Sequence, residues 1–384
     1  MKKIYLDHNS TTPVYPLVLK EMLPYFSEEY GNASSLHSFG RKAREAVEDA
    51  RAKVARLIGP VEPVDIVFTS SGTESDNFAI KGAAHALKNK GRHIITSRIE
   101  HYAVLNTCEF LAKEGYEVTY IPVDECGLID IDALKKSIRH DTILISIMFA
   151  NNEVGTIEPV KDIAVIAHEK GILFHTDAVQ VLGKLPIDAE ETGIDMLSVS
   201  AHKIYGPKGV GALYVSKKVK ITPLIHGGHH ERNRRAGTEN VAGIVGFGKA
   251  CQLAGEDMEK SNKRIAVLRD RLWYGINKNI EGVKLNGHPS GRLPNTLNVS
   301  FGHVEGESVL FNLDLKGISA SSGSACTSGS LDPSHVLKAM GADPGLVQGS
   351  VRFSLGCGNT EAEIDVTIKE LIAIISRLRG RHTC

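Results

Sequence analysis

The stretch DIVFTSSGTESDNFAIKGAAHALKNKGRHIITS, residues 65–97, decides the fold. Its ends, 65–69 and 93–97, are short β-branched runs that suit strands, and its middle, 74–91, is a helical pattern closing at a glycine. The same alternation continues down the chain. EVTYIPV (117–123), TILISIMF (142–149), ILFHT (172–176) and DMLSVS (195–200) read as strands, and AVLNTCEFLAKEG (103–115) as another helix. Strands alternating with helices predict an α/β fold, a mostly parallel sheet flanked by helices on both faces. Beyond about residue 255 the pattern changes. MEKSNKRIAVLRDRLWYGINKNI (258–280) leads into NTLNVSFG, a helix near 305–316, a serine-rich loop, SVRFSLG and a last helix ending near Arg379. That tail predicts a smaller α+β domain. The expected division is a large domain over 15–255 and a small one from 1–14 and 256–384, carrying a loop at about 319–333.

Charge and cysteine usage narrow the function. With 45 Lys and Arg against 45 Asp and Glu, the 384-residue chain has no net field for a polyanion or an acidic membrane surface. Nucleic acid and membrane are therefore not expected partners. MKKIYLDHNS (1–10) meets charge before any apolar run forms, and no stretch approaches the roughly 18 apolar residues of a membrane span. The expectation is a soluble, cytoplasmic protein. Cys108, Cys126, Cys251, Cys326, Cys357 and Cys384 form no C-x-x-C pair, which argues against a zinc knuckle or disulfide framework and suits thiols kept reduced. Cys108 in LNTCEFLA and Cys251 in KACQLA read as small buried apolar residues. Cys326 does not, because SSGSACTSGS (321–330) can neither bury a thiol nor hold it still.

In open parallel sheets ligands sit beyond the carboxyl ends of the strands, so the residues just after each strand carry the functional reading. SSGTESDN (70–77) sets Ser71, Gly72 and Thr73 where a helix begins, with N–H groups that suit a phosphate; an ordinary N-cap with Glu74 in the first turn is the plain alternative. LFHTDAVQ (173–180) puts Asp177 just past an apolar run and Gln180 three residues on. A carboxylate there can keep a ring nitrogen protonated, or simply cap a helix. SVSAHKIYGPKGVGALYV (198–215) brings Ser200, His202 and Lys203 together, with glycines at 206, 209 and 211 keeping the turn compact. A lysine is usually a solvated charge, but one held after an apolar strand suits a desolvated amine that forms a Schiff base. SRIEHYAV (97–104) offers His101 to stack on a ring or move protons, and FANNEVGTIEP (149–159) offers Asn151, Asn152 and Glu153. Each signal alone is weak. A phosphate seat, a ring-nitrogen partner, a stacking imidazole and an amine at successive strand ends together describe pyridoxal 5'-phosphate.

YLDHNSTTP (5–13), YGNASSLHSFG (30–40), SSGTESDN, EHYAV, NNEVG, HTDAVQ, SAHKIYGPKGVGALYV, RRAGTEN (234–240), SSGSACTSGS and VRFSLG (351–356) follow one family's order over nearly the whole length. The chain resembles cysteine desulfurases of the NifS/IscS type, in the class V aminotransferase family of fold-type I pyridoxal-phosphate enzymes. The resemblance implies that Lys203 carries the cofactor, Asp177 pairs with its ring nitrogen, Gln180 lies near the ring hydroxyl and His101 stacks on the ring. Gly72, Thr73, Ser200 and His202 then hold the phosphate, helped by Thr238 from the partner subunit of a homodimer. Asn152 and Arg352 receive the α-carboxylate of L-cysteine, Arg352 as a two-pronged fork, and Asn32 lines the substrate pocket. The Lys203 amine takes the α-proton. Cys326, as thiolate, attacks the substrate's sulfur, leaving L-alanine and a persulfide, with His101 one candidate for lowering the thiol's pKa. The sulfur goes to an iron–sulfur scaffold protein or another acceptor. No resident metal is implied; Cys326 is at most a transient iron–sulfur ligand in a partner complex.

Two enzymes with the same cofactor are the near rivals, a selenocysteine lyase and a class V transaminase, and the transaminase needs no mobile thiol. A non-catalytic sulfur-pathway scaffold is the rival of another class, against which Lys203, Asp177, Arg352 and Cys326 together argue. The chain also departs from the family pattern. His8 and Ser10 stand in place of asparagine or tyrosine and alanine, and Cys357 and Gly358 in place of a basic and a polar residue. HGGHHERNRRAGT (226–238) carries His226, His229 and His230; a metal site is conceivable, but the match to an interface loop favours a structural role. The small, glycine-punctuated residues around Cys326 predict a loop that is mobile without a partner, so that the thiol can reach the substrate and then carry sulfur outward.

Overall fold

The computed structural model describes residues 3–322 and 333–380. Its central sheet has seven strands, ordered Ile66–Thr69, Gly211–Val215, Met196–Ser200, Leu173–Asp177, Thr142–Ser146, His93–Ser97 and Glu117–Ile121. Gly211–Val215 runs against both neighbours, and the remaining pairs are parallel. Strands such as Thr142–Ser146 and Met196–Ser200 are buried end to end, which is why they read as apolar runs without alternation. Their side chains divide between two cores. Val67, Ile94 and Leu213 meet Phe78, Val104 and Leu111 of the helices Gly72–Leu87 and Tyr102–Lys113. Phe68, Ile95 and Phe174 meet the opposite layer, where Val47 and Val54 come from the helix Ser38–Ile58 and Ile163 from Val160–Glu169.

The structure corrects the reading of Gly211 as a turn residue. Gly211–Val215 is a buried strand, and glycine is required at 211 because a Cβ there would lie 2.7 Å from the Ser71 carbonyl carbon. This close approach tucks the start of the helix Gly72–Leu87 against the strand that follows Lys203.

A second, antiparallel sheet runs Ser350–Ser354, Thr296–Phe301, Val283–Asn286. It packs on the helices Gly306–Asp314 and Glu361–Gly380 through a separate core that includes Val299, Phe353, Leu313 and Leu371. Ile4 and Leu6 belong to this core, and Ile4–Tyr5 pairs in parallel with Ile318–Ser319. The change in pattern near residue 255 is not a break in the chain's structure. One 39-residue helix, Val241–Asn279, crosses it, with Cys251 in the core of the large sheet and Ile265 in that of the small one. Its first half escapes a periodicity search because glycines interrupt it; at Gly248 a Cβ would meet the Ala50 Cα at 2.6 Å. Cys108 and Cys251 are buried free thiols. Among the described residues, no helix is long and apolar enough to cross a membrane.

Candidate active site

The carboxyl ends of the parallel strands open into a cavity of about 300 Å³. It brings together Gly72, Thr73, His101, Asn152, Asp177, Gln180, Ser200, His202, Lys203 and Arg352, from both sheets. At one side the helix Gly72–Leu87 begins. Ser71 is its N-cap, with Oγ accepting from the Glu74 amide at 3.1 Å, so the capping alternative holds as well. The cap leaves the Gly72 and Thr73 amides without intrahelical acceptors. Residue 72 has no room for a side chain, since a Cβ would stand 2.7 Å from the Val179 Cγ2.

Asp177 ends its strand 7% exposed, with Oδ1 accepting from the Val179 amide at 2.8 Å. Burial raises its carboxyl above the usual range, against the pull of His101 and Lys203. A buried carboxylate in this state favours a cationic or protonated partner. Beneath it lies Asp76, pushed well above the ordinary range by burial and by Asp177. Lys203 stands in a single 3-10 turn, Ala201–Lys203, directly after the strand Met196–Ser200. Its Nζ donates to the carbonyls of Asn9 (2.5 Å) and Ser10 (2.8 Å), and Gln180 Nε2 donates to the same Asn9 oxygen at 3.0 Å. Burial pulls His202 down to about 4, so it is a neutral ring at pH 7. His101 caps the helix Tyr102–Lys113, its Nδ1 accepting from the Ala103 amide at 3.1 Å, which puts the neutral ring's proton on Nε2.

Arg352 lies on the strand Ser350–Ser354 and is 2% exposed. Its Nη1 donates to the Asn152 carbonyl at 3.0 Å, and its Nη2 to Asp7 Oδ1 and Ser10 Oγ, both at 2.9 Å. Its Nε has no hydrogen-bond partner among the described residues. A buried guanidinium on the wall of a cavity suits an anionic guest. The backbone of the same residue exchanges two hydrogen bonds with Ser321, where the serine-rich loop departs. The loop's far end is also tied to the cavity: Ser334 Oγ donates to Glu153 Oε2 at 2.6 Å, and His335 lines the cavity 4.8 Å from the Tyr102 ring. Cys326, and with it the expected mobility of its loop, lies outside the described residues, as does Cys384.

Two predicted residues stand apart from this cavity within one chain. Asn32 is exposed, its Oδ1 accepting from the Ser34 amide. Thr238 lines a separate cavity of about 150 Å³ beside Ser70, Glu231 and Arg235. The loop before it is held by Glu231, which takes two bonds from Arg51 (2.7 and 2.9 Å) although Glu231, Arg232 and Asn233 all have positive φ. Among the described residues no group of three His, Cys, Asp or Glu side chains assembles for a metal. His229 Nδ1 bonds Asn233, and His230 Nδ1 accepts from the Gly237 amide. The cavity also holds Asn9, Asp76 and His335, which sequence reasoning missed, and Ser10, which it named only as a departure from the family pattern. Asp76 had a signal, four residues past Gly72; Asn9 meets Lys203 through its backbone carbonyl, which leaves no trace in residue type.

The chain matches the class-V aminotransferase family over residues 4–366 and belongs to that family. A cysteine desulfurase IscS from Dictyoglomus turgidum is 55% identical over 98% of this chain and 96% of its own length. Another, from Methanosarcina thermophila, is 54% identical over 99% and 93%. Among solved structures, a NifS-like protein superposes with a TM-score of 0.92 at 42% identity, covering 98% of this chain and all of its own. Within the family this chain is of the cysteine desulfurase IscS/NifS type, a pyridoxal-phosphate enzyme. The residues present fit that cofactor: free amides where a Cβ would not fit, a buried carboxylate and an amine face one cavity.

Proposed function

We propose that the chain takes sulfur from L-cysteine, releases L-alanine and holds the sulfur as a persulfide on Cys326. When bound, pyridoxal phosphate supplies an electron sink that makes the substrate's Cα–H acidic and its C–S bond breakable. The Gly72 and Thr73 amides, with Ser200 and His202, hold the phosphate; Asp177 keeps the ring nitrogen protonated, Gln180 meets the ring hydroxyl and His101 stacks on the ring. Arg352 and Asn152 orient the substrate's carboxylate. Lys203 Nζ accepts the Cα proton. The Cys326 thiolate forms a bond to the substrate's sulfur as the C–S bond breaks, and the carbon takes up protons to leave as alanine.

The observation that carries this reading is that Arg352 lines the cavity while its backbone pairs with Ser321, where the cysteine loop departs. The reading extends to a homodimer in which Thr238 completes the partner's phosphate seat, to a cytoplasmic enzyme of two domains, 15–255 and 1–14 with 256–384, and to an iron–sulfur scaffold or other protein as acceptor. The test is alanine and sulfide release from L-cysteine with reductant, wild type beside Cys326→Ala. Full sulfide release by the variant would sink the proposal.

A further inference from the structure

We propose that Lys184 is a positioning residue for the cofactor: it fixes the Gln180 amide so that its nitrogen, and not its oxygen, serves the ring hydroxyl. The inference rests on the reading of Gln180 as that hydroxyl's neighbour and adds what decides the chemistry Gln180 offers there. Lys184 does not line the strand-end cavity. It is half-buried on a second, larger cavity of about 450 Å³, which Lys203 also borders.

Beyond Asp177 the chain turns tightly, with the Leu182 amide donating to the Ala178 carbonyl and the Leu185 amide to the Val181 carbonyl, both at 3.1 Å. Four residues apart in such a turn are neighbours, and Lys184 Nζ donates to Gln180 Oε1 at 3.0 Å. The turn is also held from outside, since Asn262 Nδ2 of the long helix donates to the Lys184 carbonyl at 2.8 Å. At its other end the Gln180 amide meets the Asn9 carbonyl, Nε2 donating at 3.0 Å. Asn9 is itself fixed: its amide donates to Ser354 Oγ, its Nδ2 donates to Thr296 Oγ1, and its Oδ1 accepts from Asn295 Nδ2, each at 2.9 Å. An ammonium only donates and a carbonyl only accepts, so the two together admit one orientation of the amide between them. The same Asn9 oxygen accepts from Lys203 Nζ, which sets the Gln180 nitrogen beside the amine that carries the cofactor and leaves the Gln180 oxygen to Lys184. Nε2 has a second N–H, a donor suited to a ring oxygen that bears negative charge. Lys203, Arg352 and Cys357 act on the charge of Lys184, and His8, Tyr15, Tyr205, Glu256 and Asp257 share its cavity. In either charge state the amine can donate to Gln180.

The test is the visible absorbance of the full chain loaded with pyridoxal phosphate, titrated with pH, whose midpoint follows the proton shared by the Lys203 nitrogen and the ring oxygen. Losing a donor to that oxygen makes the proton harder to remove. Gln180→Ala should raise the midpoint by about one unit, a roughly tenfold change, the size expected of one hydrogen bond to a charged group. Lys184→Met keeps the side chain's bulk without its donor and should raise the midpoint by a similar amount. Lys184→Arg donates again and should return it to within a few tenths of a unit of wild type. In the double variant, Lys184→Met should add no more than a few tenths of a unit to Gln180→Ala, because both act through one contact. An unchanged midpoint in Gln180→Ala overturns the placing of Gln180 at the ring hydroxyl, and the inference with it. A shift in Gln180→Ala with none in Lys184→Met overturns the inference alone. So do additive shifts in the double variant, which mark Lys184 as a distant charge, and a midpoint that Lys184→Arg fails to restore.

Discussion

Lys203 forms part of the wall of two cavities that differ in what they offer a guest. The smaller one gathers charge and dipole at the strand ends: the helix start at Gly72, the Asp177 carboxylate and the Arg352 guanidinium. The larger has more carbon in its wall, from residues such as Leu253, Met258 and Ile265, with Lys184, Glu256 and Asp257 among its charged members. Fixed dipoles in a buried site act on charge that develops during a reaction, whereas carbon walls sort molecules by shape and area. The difference therefore separates where chemistry happens from where a molecule can only be held.

The contrast breaks most sharply at Lys203. Lys203→Ala should lower alanine formation by about 10²–10⁴-fold, the range for a lost general base, and an assay of alanine release that showed less would move the base elsewhere. Arg352→Ala comes next. Its buried, charge-assisted bonds are worth about 1.5–3 kcal/mol, so kcat/KM for L-cysteine should fall about 10- to 100-fold, chiefly through KM, and Arg352→Lys should fall in between because charge returns without the fork. At the helix start, Gly72→Ala forces a methyl into Val179, an overpacking that costs about 1–3 kcal/mol. The expected outcome is faster loss of pyridoxal phosphate on dialysis, read by absorbance, with the fold retained by circular dichroism.

The smallest expected effect lies in the second cavity and concerns pH. Burial holds His8 at about 4 in the folded chain, below its ordinary 6.5. As pH falls below 6.5 the unfolded chain takes this proton first, so the stability that a neutral His8 confers is whole above 6.5 and is lost as pH falls toward 4. His8→Gln should flatten the fall in Tm across that window. Some slope should remain, because His202 in the first cavity carries the same shift.

Legibility divides along similar physical lines. Lys203, Asp177 and His101 stand out because a parallel strand is an apolar run and the residues at or just beyond its carboxyl end lie on the ligand side. The antiparallel strand Gly211–Val215 is harder to see, since its glycine answers a close approach by Ser71 that only the packed chain creates. Asn9 and Ser10 meet Lys203 through carbonyl oxygens, and residue type carries no record of those bonds. Lys184 reads as an ordinary surface lysine of a loop, yet burial, with Lys203 and Arg352 nearby, pulls it down to about 7.

The amino-acid sequence by itself determined the α/β class, the strand-end positions of Gly72, Asp177 and Lys203, and the exceptional local composition around Cys326, because periodicity and local residue chemistry are properties of neighbours along the chain. Only the tertiary structure decided that Asp7 to Ser10 would run between the two sheets and hold Lys203, that Arg352 would line the cavity and pair with Ser321, and that His8, Lys184 and Cys357 would share a cavity. Those facts depend on contacts between residues far apart in sequence, such as Lys203 with Asn9 or Arg352 with Asp7, and come into being only when both cores have packed.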